Sequence, residues 1–331
     1  MISYAEIKHV EIELSSYCNA VCPLCPRNLF GYKYNTGYTE KNLTLSQIKD
    51  IFDIDFVNQL TNITFEGNYG DPLMNPALLS IVDFFKEKPI AIFTNGSLQT
   101  QSFWKELATH QVTVFFALDG LEDTHSIYRQ NTDFNKIINN AKIFINAGGN
   151  AVWKMVKFDH NSHQIQDAEA MSKELEFSKF VLADHGRDSG PVFDIDGNLI
   201  RVLGNFDGST ELSHYLDTIE NGDMFIEDIY DTPSNGVSCK TINKKSIYVS
   251  SEGDVYPCCF MGFNPTKYGK GRWHQPVNKQ IQELLKPNNA LERPLEQCIE
   301  WFNNIPPCWD KTTFEDGRLI VCDSACGIKA A

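Results

Sequence analysis

Between residues 26 and 238 the chain has no cysteine, although it holds ten in all. Three stand at 18, 22 and 25, and seven fall between 239 and 326. A disulfide scaffold would spread its thiols through the fold, whereas two separate groups suit two metal sites. Long apolar runs are also missing: nothing approaches the roughly 20 residues that a membrane span needs. The opening MISYAEIKHVEIEL lacks a basic segment ahead of an apolar one, so it is no secretory signal. The expected location is therefore the cytoplasm, where thiols stay reduced. Cations are scarce: 29 Lys and Arg stand against 43 Asp and Glu, a formal net charge of −14. No Lys/Arg-rich run occurs, which excludes an extended nucleic-acid face but not a small local RNA contact. Internal repeats and low-complexity segments are absent too.

What is present is a chain of 331 residues, 42% apolar and 22% charged, long enough for a full-size domain and a smaller one. Six β-rich runs are expected at His9–Leu14, Asn62–Phe65, Ile90–Phe93, Val112–Leu118, Ala151–Val156 and Lys179–Leu182. Helical patterns alternate with them at Thr44–Phe56, Pro76–Phe85, Ser102–Thr109, Phe134–Asn146 and Gln164–Leu175. Thr44 with Gln47 makes a capping box, and Pro76 suits a first helical turn. Alternation of this kind predicts an α/β fold with a parallel sheet and right-handed crossovers, either doubly wound or curved into an incomplete barrel. In both, ligands gather at the carboxyl ends of the strands. After about residue 186 the pattern breaks into turns, with room for a short hairpin around Phe193–Val202. Ser246–Ser251 and Val255–Cys259 then read as two strands about the turn Glu252-Gly253-Asp254. One more helical stretch lies near Gln280–Leu285.

The first thiols form Cys18-Asn-Ala-Val-Cys22-Pro-Leu-Cys25, just beyond the first expected strand. A loop of this size wraps three corners of a cubane cluster and leaves one iron open. The competing reading is zinc, which usually takes paired C-x2-C elements or a nearby His pair. No such pair lies close, and the nearest histidine, His9, belongs to the strand. This C-x3-C-x2-C loop resembles that of the radical S-adenosylmethionine (SAM) superfamily, although Leu24 stands where an aromatic is usual. Further segments resemble the family's in its order. Gly70-Asp71-Pro72 is similar to the G-G-E-P segment, with Asp for Glu. Thr94-Asn95-Gly96 is similar to the T-N-G turn. Ala117-Leu118-Asp119-Gly120 is similar to the S-x-D-G turn, with Ala for Ser. Each also has an ordinary turn-forming reading.

The resemblance implies a partial (β/α)6 barrel of the TIM type, with a [4Fe-4S] cluster on Cys18, Cys22 and Cys25 and SAM at its open iron. It implies that Gly70, Asp71, Pro72, Thr94, Asn95 and Asp119 lie at the SAM site; Lys154 and Lys157 end the fifth expected strand, and one of them, with Lys154 the candidate, is expected to reach the SAM carboxylate. Reductive cleavage of SAM then yields a 5′-deoxyadenosyl radical that takes hydrogen from a substrate. Cys239, Gly253 and Cys258 resemble the C-x(9–15)-G-x4-C element of the SPASM and twitch extensions, and Cys322-Asp-Ser-Ala-Cys326 supplies a C-x3-C pair. The implied auxiliary [4Fe-4S] ligands are Cys239, Cys258, Cys322 and Cys326, with Cys308 as substitute. One such cluster is expected and two are conceivable, because no C-x2-C follows residue 239. Cys259 and Cys298 are expected to be small buried hydrophobes. The expected organisation is a barrel over 1–190, a connector over 191–236 and a twitch- or SPASM-like auxiliary domain over 237–331.

Asp184, His185 and Arg187 follow the last expected strand and are candidates for facing substrate, by proton transfer or by clamping an anion. A solvated loop is an equal reading of them. The other histidines, His125 among them, are expected at the surface. By resemblance the substrate is a ribosomally made peptide, altered by crosslinking, epimerisation or backbone excision. Its partners would be the precursor peptide, a separate leader-binding protein, and flavodoxin or ferredoxin as electron donor. With the first strand near residue 9, no fused N-terminal peptide-recognition domain is expected. A small-molecule dehydrogenase acting on a sugar or aminocyclitol is the alternative, and a non-enzymatic zinc protein the remote one.

Overall fold

The computed structural model describes residues 1–25, 27–28, 30–32, 40–183, 190–194, 196–204, 211–213, 234–262, 280–281 and 283–328. Six strands run parallel and side by side in chain order: β1 His9–Ile12, β2 Asn62–Phe65, β3 Ile90–Thr94, β4 Val112–Ala117, β5 Asn150–Val156 and β6 Lys179–Ala183. An order with no reversal, joined by right-handed crossovers, puts every crossover on one face. This is the singly wound arrangement of an incomplete barrel, and it removes the doubly wound alternative.

The crossovers carry α1 Leu45–Ile51, α2 Ile54–Gln59, α3 Leu78–Phe84, α4 Gln101–Leu107, α5 Glu122–Tyr128, α6 Phe134–Asn146 and α7 Ile165–Glu174. The helix expected over 44–56 is two helices. Asp53 caps the second by accepting from the Phe56 N–H at 2.7 Å, and a capping carboxylate favours a new start over continuation. The Thr44–Gln47 capping box is formed. Pro76 lies ahead of α3 rather than in it, because Asn75 takes the Ala77 N–H and Pro72–Met74 forms its own short 3-10 turn.

Strand periodicity decides what each face holds. On β4, Val112, Val114 and Phe116 are buried beneath the helices, while Thr113, Phe115 and Ala117 are half-buried on the other face, the lumen. Across α6, Ile137, Ile138, Ala141 and Phe144 pack inward against Trp104 and Phe116. Trp104 and Trp153 are wholly buried, and truncating such a side chain costs about 3–5 kcal/mol.

Two additions complete the sheet system. A hairpin of β7 Gly190–Phe193 and β8 Leu199–Leu203 stands apart as its own antiparallel pair. Farther along, β9 Ser246–Val249 and β10 Val255–Tyr256 form the expected antiparallel hairpin, turning at Gly253 with φ +87°. The sequence did not announce where it goes: β9 pairs parallel with β1, His9 against Ser246 through Ile12 against Val249. The C-terminal hairpin therefore extends the barrel sheet to eight strands. Short helices α8 Lys240–Lys244, α9 Cys259–Gly262, α10 Leu295–Cys298 and α11 Ile320–Cys326 complete this end. No helix among the described residues is long and apolar enough to cross a membrane.

Candidate functional site

Three turns at the carboxyl ends of β2, β3 and β4 meet the loop that follows β1. Gly70 lies so close to that loop that a Cβ would fall 1.8 Å from the Ser15 carbonyl oxygen. The next N–H, of Asp71, donates to the Tyr17 carbonyl at 2.8 Å. Asp71 is buried, and its carboxylate takes the Thr94 hydroxyl (2.8 Å), the Asn95 N–H (2.8 Å) and the Leu73 N–H (2.9 Å). Burial pushes its carboxyl up from the ordinary range, against the pull of these donors. Its charge thus fastens the β2 turn to the β3 turn.

Asn95 turns back toward the cysteine loop. Its side-chain N–H donates to Asn19 Oδ1 at 2.9 Å and faces Cys18 Sγ at 3.8 Å. Asp119, wholly buried after β4, accepts from Val156 N–H at 2.6 Å and from Arg129 Nε at 2.6 Å. The Nη1 of Arg129 faces Cys22 Sγ at 3.9 Å. Burial alone would favour loss of the Arg129 charge; Asp119 and Cys22 beside it more than offset that and keep it charged. N–H groups aimed at sulfur suit thiolates or thiolate-bound metal better than neutral thiols.

Cys22 and Leu24 pack with Ala20, Phe30, Tyr128 and the hairpin residues Val192, Phe193 and Leu203. The β7–β8 hairpin therefore roofs the loop, held by the Phe193 N–H on the Phe30 carbonyl at 2.7 Å. Leu24, in place of an aromatic, is part of this apolar roof. Burial, then Asp71 and the two neighbouring cysteines, drives the Cys18 thiol far up, so only a compensating cation would ionise it.

Lys154 lies on the lumen face of β5, over the Phe93 ring (4.4 Å to its centre) and 3.8 Å from Glu66 Oε1. Glu11 lies on the lumen face of β1; burial first and Glu66 second push its carboxyl up to about 8. Asp184, His185 and Arg187 fall outside the described residues. Arg129 was not singled out by sequence, and the hairpin expected around Phe193–Val202 was not expected to cover the cysteine loop. His125 corrects an expectation, since it is wholly buried. Its Nδ1 accepts the Asp119 N–H at 3.2 Å, its Nε2 lies 3.1 Å from Thr132 Oγ1, and burial pushes it down to about 4.

At the other group of thiols, Cys239, Cys258, Cys322 and Cys326 together line a cavity of about 120 Å³. Cys239 precedes α8 and Cys258 follows β10. Cys322 and Cys326 are four apart on α11, hence on one face. The Ser238 N–H on the Cys326 carbonyl (2.9 Å) closes the ring. Burial pushes Cys258 up to about 12, with Cys239 and Cys326 adding to it. Cys259 also borders the cavity but bonds to Glu11 in the lumen. Cys298 is wholly buried, and Cys308 turns its thiol to the Asn304 carbonyl at 3.5 Å, away from the cavity lining. A single zinc ion needs its donors within about 2.3 Å of one point. Among the described residues no three Cys, His, Asp or Glu side chains converge so. The four thiols ring the cavity instead, a donor set that fits a cluster in which each iron takes one thiolate.

No protein-family model matches the chain, and no curated protein matches its sequence. Solved structures match its fold. Streptococcus suis SuiB bound to S-adenosylmethionine superposes with a TM-score of 0.57 at 16% identity, covering 96% of this chain and 77% of SuiB. SuiB bound to the precursor peptide SuiA gives 0.55 at 16%, over 96% and 76%. Polyhistidine-tagged anSMEcpe with bound AdoMet gives 0.55 at 15%, over 97% of this chain and 86% of that one. Over nearly its whole length, this chain has the fold of SuiB and anSMEcpe, an incomplete parallel β/α barrel.

Proposed function

We propose that the chain is a radical SAM enzyme whose substrate is a ribosomally made peptide. One observation carries the reading. Cys18, Cys22 and Cys25 lie where the turns of Asp71, Asn95 and Asp119 converge, with N–H donors aimed at two of the sulfurs. Cys18, Cys22 and Cys25 would hold a [4Fe-4S] cluster, and Cys239, Cys258, Cys322 and Cys326 an auxiliary one. When bound at Cys18, Cys22 and Cys25, the cluster would supply the one-electron reduction that cleaves SAM and starts hydrogen abstraction from substrate.

The chain's own residues place and protect these groups. Arg129 sets a fixed positive charge beside Cys22, and Asn95 sets an N–H beside Cys18. The backbone edge at Gly70, Asp71 and Pro72 receives the SAM amino acid, and the turns of Thr94, Asn95 and Asp119 flank it. The β7–β8 hairpin excludes water from the loop. Lys154 and Glu66 carry opposite charges at the lumen end where substrate enters, so Lys154 either reaches a SAM carboxylate or stays with Glu66. Residues 237–331 form the auxiliary region beyond a connector over 191–236, and an electron carrier such as flavodoxin or ferredoxin serves the cluster. The cytoplasm, where thiols stay reduced, is the compartment in which these cysteines could serve as cluster ligands.

The peptide assignment is supported by the solved complexes of SuiB with SuiA and of anSMEcpe with Cp18Cys peptide. A single ring of four auxiliary thiols also suits a small-molecule dehydrogenase. A short precursor-peptide gene beside this one favours the peptide reading; sugar or cyclitol genes favour the other. The decisive experiment is metal and SAM chemistry on anaerobically purified protein. Two cubanes give about eight irons and eight sulfides, and dithionite with SAM gives 5′-deoxyadenosine. Cys22→Ser should abolish that product. Stoichiometric zinc without SAM cleavage overturns the reading.

A further inference from the structure

Glu13 is a carboxylate at 1% exposure that contacts no thiol of either group. It lies just past β1, and its oxygens gather donors from two separate parts of the chain. From the loop after β2 come the Tyr69 N–H at 2.7 Å and the Gly70 N–H at 3.2 Å, both on Oε1. From the C-terminal hairpin come the Tyr248 hydroxyl at 3.0 Å on Oε2 and the Ser251 N–H. A second tie runs alongside: the Asn68 amide donates to the Cys259 carbonyl at 2.9 Å, one residue beyond Cys258. Gly262 packs its Cα against the Tyr248 ring so closely that a Cβ would lie 2.5 Å from it. The segment leaving the auxiliary cavity is therefore packed directly on the Tyr248 side chain.

We propose that Glu13, Asn68 and Tyr248 are positioning residues that couple the two thiol sites, so that filling the auxiliary site raises affinity for SAM. The inference rests on the reading above, in which Gly70 and Asp71 receive SAM. The coupling is a linkage between two binding events. The Tyr69 and Gly70 N–H groups are fixed by the same carboxylate that the hairpin holds on its other oxygen. Cys239 and Cys258, at the two ends of the hairpin segment, would restrain Tyr248 between them once they hold a metal. That restraint passes through Glu13 to the loop, so less remains to be ordered when SAM binds. A buried charge with several donors is suited to this, because losing one donor leaves the others with a poorly compensated ion.

The test uses the full chain, reconstituted anaerobically. SAM affinity is measured by titration calorimetry in protein with both sites filled and in the Cys258→Ser variant, which fills only the first. The expected difference is on the order of tenfold, tighter with both sites filled. In a Tyr248→Phe, Asn68→Ala background the same comparison should collapse to within about twofold. Amide exchange at Tyr69 and Gly70 gives a readout without turnover: their protection should fall in Cys258→Ser but not further in the doubly substituted background. Tyr248→Phe keeps the ring packed on Gly262, so it remains informative if changes at Glu13 prevent folding. A difference within twofold in the wild-type background, or one that survives loss of the Tyr248 and Asn68 contacts, overturns the coupling. A wild-type protein that takes up cluster but never binds SAM overturns the reading of the site itself.

Discussion

Arg129 and Asp119 form a buried ion pair, Nε to Oδ2 2.6 Å, whose cation also faces the sulfur of Cys22. Neither residue can be changed alone without stranding the other. Arg129→Gln should cost about 3–5 kcal/mol in denaturant unfolding, because it leaves the Asp119 carboxylate uncompensated. Arg129→Lys should recover only part of this, since an ammonium cannot span Asp119 and Cys22 as a planar fork does. Equal stability of Gln and Lys variants would mean the geometry contributes nothing.

The auxiliary thiols separate by position. Cys258→Ser should lower iron in anaerobically reconstituted protein by about half, the share of one cubane in two. Cys308→Ser should leave iron content unchanged, because its thiol faces the Asn304 carbonyl rather than the cavity. Colorimetric iron and sulfide assays distinguish the two.

His125 gives a dependence on pH. Its folded value of about 4 lies below the ordinary 6.5, so the unfolded chain binds the extra proton between those values. The stability it contributes is complete above about pH 6.5 and is lost as pH falls toward 4, up to about 3 kcal/mol. His125→Asn keeps an acceptor for the Asp119 N–H and cannot protonate. Its melting temperature should fall less than that of wild type between pH 7 and 5.

Gly70→Ala places a methyl 1.8 Å from the Ser15 carbonyl oxygen. Backbone on both sides cannot give way cheaply, so the loop after β2 must shift, at a cost of about 1–3 kcal/mol. SAM affinity should drop while iron at the first site is retained. Calorimetric binding indistinguishable from wild type would show that this close approach is dispensable.

Much of this architecture was legible in the sequence because it is periodic. The six parallel strands follow from alternation and β-branched runs, and the hairpin at Gly253 from its turn residues. Cys322 and Cys326 stood out as a C-x3-C pair, but the helix that puts them on one face was not expected. What escaped detection depends on tertiary contact. Helix α5, seven residues of which EDTHS are polar or charged, has too short a pattern to register. His125 on it reads as solvated, and only the packing of Phe134 and the Asp119 turn makes it a buried acceptor. Arg129 carries no motif, since its two partners lie ten residues and more than a hundred residues away. The split at Phe52 was missed because Asp53 also fits a helix surface, and its cap is apparent only from the Phe56 N–H it accepts.

The parallel pairing of β1 with β9 has a consequence for biosynthesis. Strand β1 leaves the ribosome well ahead of its neighbour on one side, Ser246–Val249, which follows it by more than two hundred residues. Until then β1 presents an open edge, and closing a loop of that length is slow relative to local folding. The carboxylate of Glu13 waits equally long for Tyr248. Nascent chains halted before residue 246 should therefore be the species that chaperones hold and proteases find.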